Sequence, residues 1–523
     1  MQRTALFIAG AILIAGCAKG PEESDQKPYS PPPPSGKTKN VPVPTVTSDA
    51  DAGKKLREQF KAFTIRKRDY AKRMVVEQNI KPPPLIWEFY QSAIDGDFAE
   101  TQKKYTELGK QYGRGQGENK SVVPLEVQHT FPPAMEVVGA MEMVDGWHAK
   151  FLHFYTTEIV SSIPEGSIYF GGTDPGRFAI TLGSKSHEKA DPFFTITQTA
   201  LADGSYLQYL RELYGNKIYI STEEDRGRAF SNYYSEAKAK EGQSQDIPAI
   251  MDINGRLDKV IFNKNPDHDF YLEESLALDW MKPHMVPHGL IFKLERKPLK
   301  ELPPDLIDQN RKDWQKYMAL CVGDEVVKPE TTVSELCEWI QAVYSKNDLG
   351  KFKGDLLYLD GKKQVLEKSA MQKGLPFSEQ KVFSKMRSDQ AGLFRWRSLN
   401  TQDAQLKSLY AQEAEFAYAQ SVALGGVNPN GALEFSIHLS AVNRFKDAKL
   451  LVRTFVGIQK HGSEFYMRNM RQMLGKILKS EMDHWREEKE YDKAISAIEE
   501  LKELLPENKT QLQLQIDQLR NLQ

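Results

Sequence analysis

Few residues in this chain have the type and spacing for chemistry. The best set is Gly171-Gly172-Thr173-Asp174-Pro175-Gly176-Arg177, directly after the apolar run Ser167-Ile168-Tyr169-Phe170. Glycines let the backbone come close to a ligand, while Thr173 can donate to sugar or phosphate oxygens and Asp174 can accept from their hydroxyls. Gly172, Thr173, Asp174 and Arg177 are therefore the ligand-binding candidates. The stretch is neither a Walker A loop nor a GxGxxG fingerprint. An Asp-Pro-Gly turn also has a purely structural use, because Pro sets φ and Gly permits positive φ. Both uses are open on the sequence.

A second cluster is Asp267-His268-Asp269, followed by Glu273, Glu274 and Asp279. Acid–His–acid suits a metal or general acid/base work, but strand neighbours point to opposite faces, so His268 cannot share a face with both aspartates. His284 and His288 bracket a Met-Val-Pro turn and suit loop hydrogen bonds. No Cys/His set has zinc spacing, and no nucleophile–base pair or paired carboxylates stand out. No catalytic residue, metal or cofactor is assigned, and a hydrolase is the weakest reading. Cys321 and Cys337 lie on two expected successive helices (303–320 and 333–346). They permit one disulfide in an oxidising compartment, or serve as two buried thiols.

The N-terminus carries an address. Arg3 precedes the apolar run Ala5–Leu13, which leads into Ile14-Ala15-Gly16-Cys17. The run is too short to span a bilayer, and small residues fit a signal-peptidase pocket. With its cysteine directly after Ala-Gly, the segment resembles the bacterial lipoprotein signal. That resemblance implies that Cys17 becomes the acylated mature N-terminus. Several acyl chains give stable anchoring where one would be marginal. Ala18 stands where the enterobacterial inner-membrane retention signal has Asp, which favours the outer membrane. Residues 17–50 follow as a tether built on Pro31-Pro32-Pro33-Pro34 and Val41-Pro42-Val43-Pro44, too poor in apolar surface to fold.

The 523 residues carry 70 basic and 71 acidic side chains, a net charge of -1. That balance argues against nucleic-acid binding, which usually needs a basic face. Size alone allows several domains. Residues 51–120 read as helices. Lys81-Pro82-Pro83-Pro84 stops the first, and a helical hairpin turns at Asp95-Gly96-Asp97-Phe98. One helix is expected over 134–159. Strands are expected at 167–170, 193–197, 217–220, 260–262, 270–272 and 290–292, with helices at 205–214 and 226–240 between them. That alternation predicts an α/β domain with a mainly parallel sheet over 121–300. A helical connector over 301–400 leads to tetratricopeptide-like hairpins over 401–523. One unit spans 431–460 and another 478–508, where Trp485, Tyr491, Ala494, Leu501 and Pro506 sit at matching offsets.

Within 160–300, the motif from Phe170 to Phe178, Ile196-Thr197-Gln198-Thr199-Ala200-Leu201-Ala202-Asp203, the segment from Glu273 to Met281 and Pro287-His288-Gly289-Leu290 occur in that order. Together they resemble the soluble region of protein O-mannosyltransferase-like polytopic membrane proteins. The resemblance implies a shared fold. It argues against transferase activity here, because the family's chemistry is expected in a membrane-embedded half that this chain lacks. The expected function is a lipid-anchored periplasmic or outer-membrane scaffold that binds a protein partner through its helical repeats. The alternative is a glycan-binding or accessory subunit of a membrane glycosyltransferase, acting at the Thr173–Asp174 loop.

Overall fold

A computed structural model of the full chain describes residues 49–112, 129–184, 193–239, 249–273, 278–323, 325–346, 348–351, 378–426, 429–458 and 464–522. The signal segment, Cys17 and the proline tether lie outside the described residues. Two compact units are formed, one by residues 197–266 and the other by 46–196 together with 267–523.

The larger unit is mostly helical. It begins with α1 (Asp49–Glu77), α2 (Pro84–Asp95), α3 (Phe98–Tyr112), α4 (Phe131–Gly146) and α5 (Ala149–Ser162). α1 ends where Asn79 turns left-handed at φ 50°, and Pro84 occupies the first turn of α2, where a missing N–H costs nothing. Gly96, at φ 80°, closes the α2–α3 hairpin in the left-handed conformation. The helix expected over 134–159 is two helices, broken where Trp147 goes extended. Phe60, Phe63, Phe89, Tyr90 and Leu108 share one apolar cluster with Ala134, Val137 and Met141 of α4.

The sheet corrects the expected fold class. Its strands are β1 (Ser167–Gly171), β2 (Phe193–Thr197), β3 (Phe270–Leu272), β4 (Met285–His288) and β5 (Ile291–Leu294), in the order β2-β1-β3-β5-β4. β1 and β3 are parallel, but β3–β5 and β4–β5 are antiparallel. The protein is therefore a mainly α-helical structure with a small mixed sheet, not an α/β domain around a mainly parallel one. Two expected strands fail for identifiable reasons. Val260-Ile261-Phe262 lies inside a helix, because a short apolar run reads alike in a buried helix and a buried strand. At 217–220 the Tyr219 N–H donates to Asn265 Oδ1 (2.7 Å) and its carbonyl accepts from Asn265 Nδ2 (3.0 Å), replacing ladder bonds with one side chain. β4 occupies the expected Met-Val-Pro turn. After β1 come a π-turn, Pro175–Ala179, and the single turn α6 (Ile180–Gly183).

The smaller unit holds α7 (Gly204–Tyr214), α8 (Glu223–Ala239) and α9 (Ala249–Lys264). Asp203 caps α7 by accepting from the Ser205 N–H (2.9 Å), and Asn254 of α9 ties down residues 199 and 202. These helices form their own unit rather than crossovers of a parallel sheet, and the α/β rhythm of the sequence concealed this.

After the sheet the chain runs through α10 (Pro304–Cys321), α11 (Val333–Ile340), α12 (Ser378–Asn400), α13 (Ala404–Gly425), α14 (Asn430–Ala441), α15 (Phe445–Ile458), α16 (Glu464–Glu487), α17 (Tyr491–Leu504) and α18 (Lys509–Arg520). Each helix from α12 to α18 packs on its successor, and α12 also touches α14, as α14 touches α16. Asn443 and Lys489, both at φ 60°, turn α14 into α15 and α16 into α17, as Gly96 does near the N-terminus. Ala448 and Ala494, buried at the crossings, keep the helices close. One apolar core runs from Leu56 through the sheet to Ile477, so the segments either side of residue 300 share it.

α12 is pinned by a buried polar hub. The Gln390 amide donates to the Gly289 carbonyl (2.9 Å), and its oxygen accepts from Trp314 Nε1 (2.6 Å), Asn310 Nδ2 (2.8 Å) and Arg387 (3.2 Å). Arg387 also donates to Gln420 (2.8 Å) and Asn310 (2.8 Å), and Arg397 donates to the Met285 carbonyl (2.9 Å). The β4–β5 hairpin, α10, α12 and α13 are thereby held in one register.

Candidate functional site

The glycine-rich loop owes its geometry to the one parallel strand pair. Phe170 of β1 is in register with Leu272 of β3, so the next residues, Gly171 and Glu273, leave the sheet side by side at the same edge. The Glu273 N–H donates to the Phe170 carbonyl (2.9 Å), extending the ladder by one rung. The Glu273 side chain then turns into the loop. Its carboxylate accepts from the Gly172 N–H (2.6 Å), the Thr173 N–H (2.7 Å) and the Thr173 hydroxyl, and it is fully buried. Gly176 lies against it, since a Cβ there would stand 1.7 Å from Glu273 Cδ. Gly171 is required equally, because its Cβ would meet the Gly176 carbonyl at 2.6 Å. Tyr169 donates to that carbonyl (2.9 Å), and Thr173 Oγ1 accepts from the Gly176 N–H (3.2 Å).

Two of the four ligand-binding candidates, Gly172 and Thr173, thus spend their donors on an internal carboxylate. Successive backbone N–H groups turned toward one point form an anion cradle, and here the chain itself supplies the anion. The other two, Asp174 and Arg177, lie on the outer side. Arg177 pairs with Asp174 (2.6 Å) and stacks over Phe178 at 4.2 Å, and the Asp174 side chain is 62% exposed. The structure does not bring them to the Gly172–Thr173 donors through any shared partner. Glu273 was visible in the sequence only as one member of an acidic cluster.

The three candidate histidines bond backbone carbonyls. His268 donates to the Gly166 carbonyl (2.6 Å), His284 to Glu295 (2.7 Å) and His288 to Ser162 (2.8 Å). Asp269 faces Lys293 (3.4 Å). Among the described residues no cluster of His, Cys, Asp and Glu is arranged to hold a metal ion. Cys321 and Cys337 are buried free thiols rather than a bridge. Burial raises both, Cys337 to about 11, which suppresses the reactive thiolate.

A second set of groups, absent from the sequence-based candidates, gathers along α12. Between residues 381 and 399 this helix is buried except for one stripe: Lys381, Lys385, Asp389, Gly392, Arg395, Trp396 and Leu399. Steps of three and four residues place these on one face. Glu434 of α14 lies within electrostatic reach of Asp389 and Arg395, and Arg395 hydrogen-bonds Tyr418 of α13. Burial, then the nearby Glu434 and Glu273 against an opposing Lys385, pushes Asp389 up to about 7. Burial raises Glu434 too, opposed by Arg395. Burial, with Arg395 and Arg444, lowers His438 to about 4 and keeps it neutral. The sequence signal for this face was the polar 3.6-residue period within 378–400, a segment taken only as connector.

Comparison with protein-family models, with curated proteins and with solved structures finds no match to this chain.

Proposed function

We propose that the chain is a lipid-anchored scaffold, held at the bacterial outer membrane through Cys17, that binds a protein partner along the half-buried stripe of α12. The observation that carries this reading is the stripe itself. A helix buried on every other side presents two lysines, an aspartate, an arginine, a tryptophan and a leucine along one line. Arg and Trp anchors among mixed charges are the composition of protein-binding surfaces. From Lys381 to Leu399 the stripe is about 27 Å long at 1.5 Å per residue, the reach of roughly eight residues of extended peptide. Helical hairpins on one side and the sheet on the other hold it rigid, which lowers the entropic cost of binding.

The test is site-specific photo-crosslinking in cells from position 385 or 395, with the exposed Lys446 of α15 as control. One discrete adduct from the stripe and none from 446 is the expected result. No stripe-specific adduct would refute the reading. The anchor is tested separately: Cys17→Ser should abolish acyl labelling and release the chain from the membrane fraction.

A further inference from the structure

In the smaller unit, α9 turns a polar face inward. Asn254, Asp258 and Asn265 are all buried along it, about one and two helical turns apart. The two asparagines are fully used. Asn254 accepts from the Ala202 N–H (2.7 Å) and donates to the Thr199 carbonyl (3.0 Å), and Asn265 serves both backbone groups of Tyr219 in the same way (2.7 and 3.0 Å). Asp258 between them is not. It is 0% exposed, its Oδ2 accepts from Gln198 Nε2 (2.7 Å), and its Oδ1 is sealed from solvent with no hydrogen-bond partner. The charged groups on the elements around it are engaged elsewhere. On α9, Arg256 pairs with Asp252 and with Glu236 of α8 (2.8 Å), and Lys259 is exposed. Asp225 of α8 pairs with Arg228 (2.5 Å), and Arg211 of α7 donates to the Ser221 carbonyl (2.5 Å). The turn at 198–200 carries no ionisable side chain. None of these charges reaches Asp258.

A carboxylate sealed from water, with one amide donor and no cation, lacks what an ionised group requires. An asparagine here would match its two neighbours. An acid matches them only when neutral, because the proton removes the charge and leaves a single O–H. We propose that Asp258 is a proton-binding site of the smaller unit: its carboxyl keeps its proton in the folded protein, where it holds α9 to Gln198, and loss of that proton at higher pH opens the unit. Burial, opposed by the Gln198 hydrogen bond, pushes the carboxyl well above the usual carboxylate range, in the direction this requires. The site lies within 197–266 and stands whether or not a partner binds the α12 stripe.

The sign follows from linkage. Folded Asp258 binds a proton at pH values where the unfolded chain, with an ordinary aspartate near about 4, has lost it. Its contribution is complete below about pH 4 and falls as pH rises, until the folded group itself ionises. The experiment is amide hydrogen exchange on the full chain, corrected for intrinsic rates, for the wild type and Asp258→Asn. It is read at Ala202 and Tyr219, whose N–H groups bond α9. Between about pH 5 and 6, wild-type protection relative to Asp258→Asn should fall about tenfold per pH unit, the signature of one proton taken up on closing. An equal pH dependence in the two proteins would overturn the proposal. Should Asp258→Asn fail to fold, the assigned Asp258 13Cγ resonance of the wild type decides. A carboxylic-acid shift at about pH 6 supports the site, and a carboxylate shift there refutes it.

Discussion

Replacing Glu273 by alanine tests whether the glycine-rich loop is a closed structural cradle or a ligand site. In the wild type the buried carboxylate satisfies two backbone N–H groups at 2.6 and 2.7 Å and one hydroxyl. Removing it orphans three donors in a half-buried loop whose acceptor was itself fully buried. Each orphaned donor kept from water costs about 1–3 kcal/mol, so three of them, with part of the loop rewetted, cost about 3–5 kcal/mol together. Glu273→Ala should therefore lose about 3–5 kcal/mol of unfolding free energy in urea. Glu273→Gln keeps the shape and one acceptor oxygen and should lose about 1–2 kcal/mol. Hydrogen exchange at the Gly172 and Thr173 amides should accelerate in the alanine variant. The emptied cradle should also accept an external carboxylate: formate at ten times its Kd would restore about 1.4 kcal/mol by mass action. An alanine variant within about 0.5 kcal/mol of wild type, with unchanged amide protection, would refute the cradle and return the Gly172 and Thr173 donors to a ligand.

Other substitutions test the same geometry. Gly176→Ala places a Cβ 1.7 Å from Glu273 Cδ and must expel the carboxylate, so it should cost about 3 kcal/mol or more by urea unfolding. Combined with Glu273→Ala the two losses should be clearly less than additive, which a double-mutant cycle measures. Asp174→Ala removes only an exposed pair with Arg177 and should change stability by less than about 1 kcal/mol. Gln390→Leu strands the Trp314 and Asn310 donors and should cost about 2–4 kcal/mol by the same assay.

Much of the helical framework was legible locally. Pro82-Pro83-Pro84, Gly96 and the apolar spacing around Ala494 and Pro506 signalled helix ends and hairpins through short-range sterics. The strand rhythm misled, because Ile218-Tyr219-Ile220 and Val260-Ile261-Phe262 are apolar runs that burial alone does not assign to strand or helix. The loop was legible as a turn, but its partner was not. Glu273 lies 100 and 101 residues from the two amides it binds, and no local period links them.

The sequence by itself determined several helix ends and the near-neutral charge, since these depend on neighbouring residues and composition. Only the tertiary structure decided that the sheet is small and mixed, that the glycine-rich loop closes on Glu273, and that Gln390 joins α10, α12 and the β4–β5 hairpin. Those features depend on which distant backbone groups face each other once the core has formed. Burial then changes the chemistry of the acids it encloses, by withdrawing the water that would otherwise stabilise their charge.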